Sequence, residues 1–309
     1  MVSFELLTQK PEIFLAATGG KRTEMNRRDW GELVFLAAIW GGAFPFTRFA
    51  APQFGPIALI ATRVTIAALC LLGLLLIQGK LSLLRQNWGG LILMGALNTA
   101  IPFTLFAYAT LHVPAGFAAV LNGTVPLFSA IIALIWKLES LPPLRIVGLL
   151  IGFLGVVILV LPKLSGTSDL LAVLAGLCAA NMYGFSAHYT RRKFVGQESL
   201  VVSTGTLLAA SVMLIPLAIW FWPKTMPSAV AWSNAVALGL LCTALAYVVY
   251  FNLLARVGAM KSVTVTYLIP PFGMLWGYLF LGEALSWNMV IGCAVIVVGT
   301  VLVVRSQRK

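Results

Sequence analysis

The chain has 309 residues, 60% of them hydrophobic and only 10% charged, with a formal net charge of +12 and a mean hydropathy of +0.97. So little polar surface cannot cover a water-soluble globule, which excludes a soluble domain and implies an integral membrane protein. The positive charge is a topology signal once the basic residues are mapped onto loops, and it gives no reason to invoke nucleic acid.

Residues 1–24 are polar apart from the short apolar patch Ile13 to Ala17, too brief for the hydrophobic core of a signal peptide. They read as a cytoplasmic tail, and Met25, followed by Asn-Arg-Arg-Asp-Trp, would make a natural start. Apolar runs of about 17–25 residues are read as spanning helices. Ten can be marked, near 31–49, 56–78, 89–110, 115–137, 146–162, 170–189, 201–222, 233–255, 262–282 and 286–304. The fold class expected is therefore an all-α polytopic membrane protein.

Segment 1 carries Trp40-Gly41-Gly42-Ala43-Phe44-Pro45. Paired glycines and a proline weaken helical hydrogen bonding, and freed carbonyls are tolerated only against protein or a wet cavity, so this helix should face inward. Segment 2 carries Arg63, a costly charge inside a membrane. Three readings stand for it: a snorkelling anchor, an internal strut bonded to backbone carbonyls, or a group that attracts a substrate carboxylate. Arg48, near the outer end of segment 1, reads as an anchor. Segment 3 places Asn98, Pro102 and Phe106 four apart on one face. Segment 4 does the same with Asn122 and Pro126.

The stretch Leu121 to Leu141 recurs at Val265 to Leu285: Pro126 and Glu139 answer to Pro270 and Glu283, an offset of 144 residues. The same offset carries Phe106-Ala107-Tyr108 onto Tyr250-Phe251-Asn252 and the Gly148/Gly155 pair onto Gly292/Gly299. The chain is a tandem duplication. Each copy has five segments, an odd number, so the second enters the membrane from the opposite side and the halves are inverted repeats. The expected division is a tail over 1–29, a first repeat over 30–162, a second over 163–304 and a tail over 305–309. Segments 5 and 10 are aliphatic and glycine-bearing, a pattern for close helix packing.

Lys80, Arg85, Lys137, Arg145, Arg191 to Lys193, Arg256, Lys261 and the basic residues of both tails fall on one side. Only Lys163, Lys224, Arg48 and Arg63 do not, so both termini should be cytoplasmic. The four cysteines, Cys70, Cys178, Cys242 and Cys293, lie singly in different segments with no metal or redox spacing and read as lipid- or core-facing thiols.

Matched prolines in two repeats are a sequence pointer to a midplane transport site. The candidate substrate-binding residues are Trp40, Phe44, Asn98, Asn122, Pro126, Tyr183, Tyr247, Tyr250, Thr266 and Pro270, with core packing or interhelical hydrogen bonding as the alternative for each. Trp88, Trp222 and Trp287 fit interfacial belts. His112 and His188, at segment ends, read as interfacial, with a proton relay through His188 the lesser alternative. Glu139 and Glu283 should cap the amides of the helix that follows each. No catalytic group, metal site or cofactor is expected, since no HExxH, Cys/His cluster or intramembrane acid pair is present. The expected partners are a small-molecule substrate and membrane lipids, without nucleic acid, in a monomer or homodimer.

Two copies of a five-helix unit, Trp40-Gly41 in segment 1, Arg63 in segment 2, and a mid-helix proline followed by Glu-x-Leu after segments 4 and 9 resemble the EamA-type permeases of the drug/metabolite transporter superfamily. The resemblance spans about residues 30–304. It implies a ten-helix carrier, commonly of the bacterial inner membrane and often exporting amino acids or related metabolites, with a cavity lined by segments 1, 3, 4, 6, 8 and 9. One departure is Gly184, which stands where the 144-residue offset places the counterpart of Trp40. A lipid-linked sugar flippase, as among shorter relatives of the superfamily, is the alternative function.

Overall fold

A computed structural model describes residues 25–136, 142–163, 167–258, 262 and 264–305. Among these residues, ten apolar helices follow the ten marked segments. They are α1 (Arg27–Phe54), α2 (Pro56–Ile77), α3 (Trp88–His112), α4 (Ala115–Ile135), α5 (Pro143–Val160), α6 (Thr167–Lys193), α7 (Ser199–Trp220), α8 (from Ala229, its last stretch Ala246–Val257), α9 (Val265–Leu281) and α10 (Trp287–Arg305). Nine are long and apolar enough to cross a membrane by length and composition, and α9 is the shorter tenth. The protein is multi-pass, with its two sets of five helices inverted relative to one another.

The start of α1 is fixed by a capping box: Asp29 N donates to Asn26 Oδ1 at 2.8 Å and Asn26 N to Asp29 Oδ2 at 3.2 Å. At the same end Arg256 binds both Asp29 and Glu32, tying α8 to α1, while Lys80 Nζ lies 2.6 Å from Glu198, tying the α2–α3 connection to the loop before α7. At the other end the Glu283 carboxylate accepts from Ala115 N at 2.6 Å and Gly116 N at 3.1 Å. This corrects the expectation that Glu283 caps the following helix: it caps α4 of the other repeat, because α9 packs along α4 and brings its C-terminal end to the first turn of α4. Glu139 lies outside the described residues.

Helix irregularities also depart from expectation. α4 is interrupted at Gly123–Thr124, where the Thr124 hydroxyl donates to the Leu121 carbonyl at 2.6 Å. α9 runs unbroken through Pro270 and Pro271, so the kinked helices are not a matched pair. A physical reason lies in the neighbours, since Tyr267 and Leu268 stand where α4 has Gly123 and Thr124, so α9 lacks at these positions the glycine and the short side-chain hydroxyl that bonds the backbone at the α4 interruption. The matched irregularities are instead π-helical turns in α3 (Ala96–Ala100) and α8 (Leu240–Leu245), which begin 144 residues apart. Each adds a residue to its turn.

Small residues set the closest approaches. On Gly41 of α1 a Cβ would lie 2.7 Å from Phe272 Cβ and 2.8 Å from Gly273 N, and one on Gly273 would collide with Ala119 of α4. On Gly184 of α6 it would lie 2.8 Å from Ser129 N of α4. Ser129 and Gly273 are 144 apart, so these are the same crossing in the two halves, and α6 is displaced by one residue relative to that offset. Tyr183-Gly184 is therefore the counterpart of Trp40-Gly41, which corrects the placing of Gly184 opposite Trp40. α5 and α10 meet along Gly148, Gly155, Gly292 and Gly299; a Cβ on Gly155 would lie 2.7 Å from Ile296 N.

Replacing Gly273 by Ala should lower the unfolding temperature in detergent, since overpacking costs about 1–3 kcal/mol. Gly31→Ala, at an exposed helical site with nothing within 4 Å, should leave it unchanged or raise it slightly.

Candidate functional site

A cavity of about 550 Å³ lies between the halves, lined from α1, α2, α3, α4, α6, α7, α8 and α9. Eight of the ten residues expected at a substrate site line it: Trp40, Phe44, Asn98, Asn122, Tyr183, Tyr247, Tyr250 and Thr266. Pro126 and Pro270 do not. Pro270 is buried behind the wall, its Cγ 2.9 Å from where a Cβ on Gly123 would stand, and Pro126 lies in the first turn after the α4 interruption. Arg63 also lines the cavity, and Glu283 lies at its sealed end instead.

The α3 π-turn decides which residues of that helix reach the cavity. Asn98 and Phe106 do, but Pro102, expected on their face, is replaced by Phe103, because the extra residue in the turn advances the register by one. The wall is aromatic: Trp40 and Tyr250 have centroids 5.3 Å apart, Phe44 meets Phe106 edge-on at 5.5 Å, and Phe106 stacks on Tyr183 at 6.2 Å. Such pairs hold the rings in place and leave other faces for a ligand.

Arg63 is buried, with 8% exposure. Its Nε donates to Thr243 Oγ1 at 2.9 Å and its guanidinium carbon sits 4.0 Å above the centre of the Phe103 ring. The expected strut to backbone carbonyls is thus replaced by a side-chain hydroxyl and a ring face, within the cavity wall. Thr243 belongs to the α8 π-turn and donates in turn to the Leu238 carbonyl at 2.8 Å.

The cavity runs from Thr47 and Thr110 to Arg191 and Gln197. At the first end Arg48 donates to the Thr110 carbonyl, so it is an interhelical tie and not a lipid anchor. Together with the Glu283 cap on the first turn of α4, this contact ties the helices together at that end, where Thr47 and Thr110 are buried. At the other end Arg191 is exposed and the cavity opens. Sequence reading missed Thr47, Thr190 and Arg191, although a 143-residue offset pairs Thr47 with Thr190 and Arg48 with Arg191; both threonines donate to the carbonyl four residues back, at 2.6 and 2.8 Å. His188 is buried, with Nε2 2.8 Å from the Ser129 carbonyl oxygen and 3.0 Å from its hydroxyl, so it is an internal contact and not an interfacial one. Asn181 is exposed and outside the cavity. Cys242 departs from a purely packed thiol by lining the cavity, its Sγ 3.4 Å from the Ile39 carbonyl. No cluster of metal-binding side chains is present among the described residues.

Two inverted sets of five helices around one cavity, open at one end and sealed at the other, are the architecture of a secondary transporter. The EamA-like transporter family matches residues 30–161 and again residues 170–305, and the chain belongs to that family. It is 27% identical over 289 residues to a protein of Streptantibioticus cattleyicolor described as a probable terminal-alkyne amino-acid exporter, across 91% of this chain and 95% of that protein. It is 25% identical to the uncharacterized transporter YvbV of Bacillus subtilis, across 88% and 90% of the two chains. One solved crystal structure shares the fold, with a TM-score of 0.66 at 23% identity over 92% of this chain and all of the other.

Glu283→Ala removes an acceptor from two helix amides and should lower stability by about 0.5–2 kcal/mol, read as a drop in thermal unfolding temperature. Glu283→Gln, which keeps one carbonyl oxygen, should recover about half of the loss.

Proposed function

We propose that the chain is an alternating-access carrier of small amphipathic metabolites, amino acids among them, and that it works as an exporter in the bacterial inner membrane with both termini cytoplasmic. The cavity supports this reading: its volume falls in the range of about 300–1,000 Å³ usual for small-molecule sites, its wall is aromatic with a few amides and hydroxyls, and it opens at the end that carries the termini. The relative described as an amino-acid exporter is consistent with the substrate class.

The observation that carries the reading is one pair of arginines in opposite circumstances. Arg48 is bound to the Thr110 carbonyl at the sealed end, whereas Arg191, its counterpart, is exposed at the open mouth of the cavity that Leu254, 144 residues after Thr110, also lines. If the halves exchange conformations, Arg191 closes on the Leu254 carbonyl and Arg48 is released. Two inverted halves make that exchange nearly symmetric in energy, so one cavity can serve both sides in turn.

Counterflow into proteoliposomes, read by mass spectrometry against a pooled amino-acid and metabolite library, tests this. Wild type should accumulate one or more solutes above protein-free liposomes; accumulation of none removes the carrier reading. Asn122→Ala and Arg191→Ala should each cut the flux at least tenfold, while Trp287→Ala, at a residue 80% exposed on the outer surface, should keep it. Wild-type flux in Arg191→Ala would remove the latch.

A further inference from the structure

We infer that Arg63, held by Thr243 and Phe103, is a subsite for a single carboxylate, and that the solutes this protein takes are acids with an apolar side chain. The inference rests on the carrier reading and names its substrate class. Among the described lining residues Arg63 is the one basic residue in the buried part of the cavity, and none is an Asp or Glu. No ion pair among the described residues involves it.

Its immediate contacts fix its orientation. Nε is used by Thr243 and one face of the guanidinium plane by Phe103. Thr243 is itself fixed by its bond to the Leu238 carbonyl, so the hydroxyl presents a lone pair to Nε and cannot turn away. The two terminal nitrogens carry no hydrogen bond among the described residues and are not among the polar atoms sealed from solvent without a partner. They form the end-on edge of the guanidinium fork, the geometry that takes a carboxylate through two parallel N–H···O bonds. A monoanion neutralises one guanidinium, whereas a phosphate dianion would leave excess negative charge in a wall with no second buried cation among the described lining residues.

The subsite occurs once. Gly239 of α8 crosses α2 at the Arg63 carbonyl and Ile66, and Gly95 of α3 crosses α7 at the Thr206 carbonyl and Ala209, so the counterpart of Arg63 is Thr206 and that of Thr243 is Thr99; both hydroxyls are buried without a partner among the described residues. A solute anchored at Arg63 is thereby oriented, its acid group on α2 and its apolar part toward the Phe44, Phe106 and Tyr183 rings.

The test uses the purified full-length protein in nanodiscs and three probes built on one 3-phenylpropyl frame: 3-phenylpropionate and L-phenylalanine, which carry a carboxylate, and L-phenylalaninamide, which does not, titrated by intrinsic tryptophan fluorescence. The two acids should bind with affinities within a few-fold of each other and the amide at least tenfold more weakly. Arg63→Met should abolish that preference, Arg63→Lys should weaken the acids about tenfold, and Thr243→Val, which frees the fork to rotate, should weaken them about threefold. Should Arg63→Met fail to fold, the Lys and Val variants carry the test. An amide that binds as tightly as the acids, an unchanged preference in the variants, or failure of wild type to bind either acid overturns the subsite. Counterflow only of solutes that lack a carboxylate would also overturn it while leaving the carrier reading in place. Acid-selective binding without counterflow of any solute would do the reverse.

Discussion

A helix crossing with no room for a methyl group determines where the aromatic wall stands. Gly41 rests on Gly273 and Gly184 on Ser129 so closely that any Cβ would meet backbone atoms. In both halves the residue before the glycine is a large aromatic, Trp40 or Tyr183, and it lines the cavity. Backbone contact of this kind tolerates little sliding, because a shift of even one residue would drive a side chain into the neighbouring helix. The cavity is therefore placed by its narrowest contacts. Trp276 adds to the same crossing from the other side, its Nε1 donating to the Ala38 carbonyl at 2.9 Å.

With the crossings fixed, the polar groups of the cavity are supplied by breaks in helical regularity. In an apolar surrounding each backbone group needs a partner, so a π-turn or a helix interruption is stable only beside protein or water. α3 and α8 carry their π-turns at corresponding depths, and α4 its interruption at Gly123 next to Asn122. Asn98, Asn122 and the Arg63–Thr243 pair all stand at or beside these irregular turns. The two ends of the molecule are treated differently from its centre: α1, α4, α8 and α9 are joined at their tips by charges on helix termini or by ion pairs, where solvent is near and such contacts can form and break.

Hydropathy alone located all ten helices, with ends displaced by a few residues, because a span must exclude water along its whole length. The 144-residue offset was legible wherever matched prolines, glutamates or glycines punctuated it. It slipped by one in α6 and α7, and that slip hid the equivalence of Trp40 with Tyr183 and of Arg63 with Thr206, since the signal lies in which glycine touches the neighbouring helix and not in the order of residue types. The partner of Glu283 was illegible for the same reason: the first turn of α4 is distant in sequence and adjacent only in the folded chain. Pro270 read as a helix break and is not one: α9 runs on through it, whereas α4 is interrupted just before Pro126, at Gly123 and Thr124, where the Thr124 hydroxyl bonds the Leu121 carbonyl. Phe103 was hidden by assuming a regular 3.6-residue turn through Asn98.

Arg63 is the least economical residue in the membrane interior, which makes its retention informative within this one chain. Moving a guanidinium out of water costs several kcal/mol even after relaxation. A hydrogen bond from a charged group returns about 1.5–3 kcal/mol and a desolvated cation–π contact about 2 kcal/mol, yet together they use one of five N–H donors and one face. The remaining donors need water or a ligand in the cavity. Packing does not demand the charge, because the opposite half fills the corresponding station with Thr206, an uncharged and buried residue of the same cavity wall. Two halves that share the same crossings and the same π-turns thus differ at the one station where a charge would be costly to keep without use, and that difference turns a symmetric hollow into one with a direction.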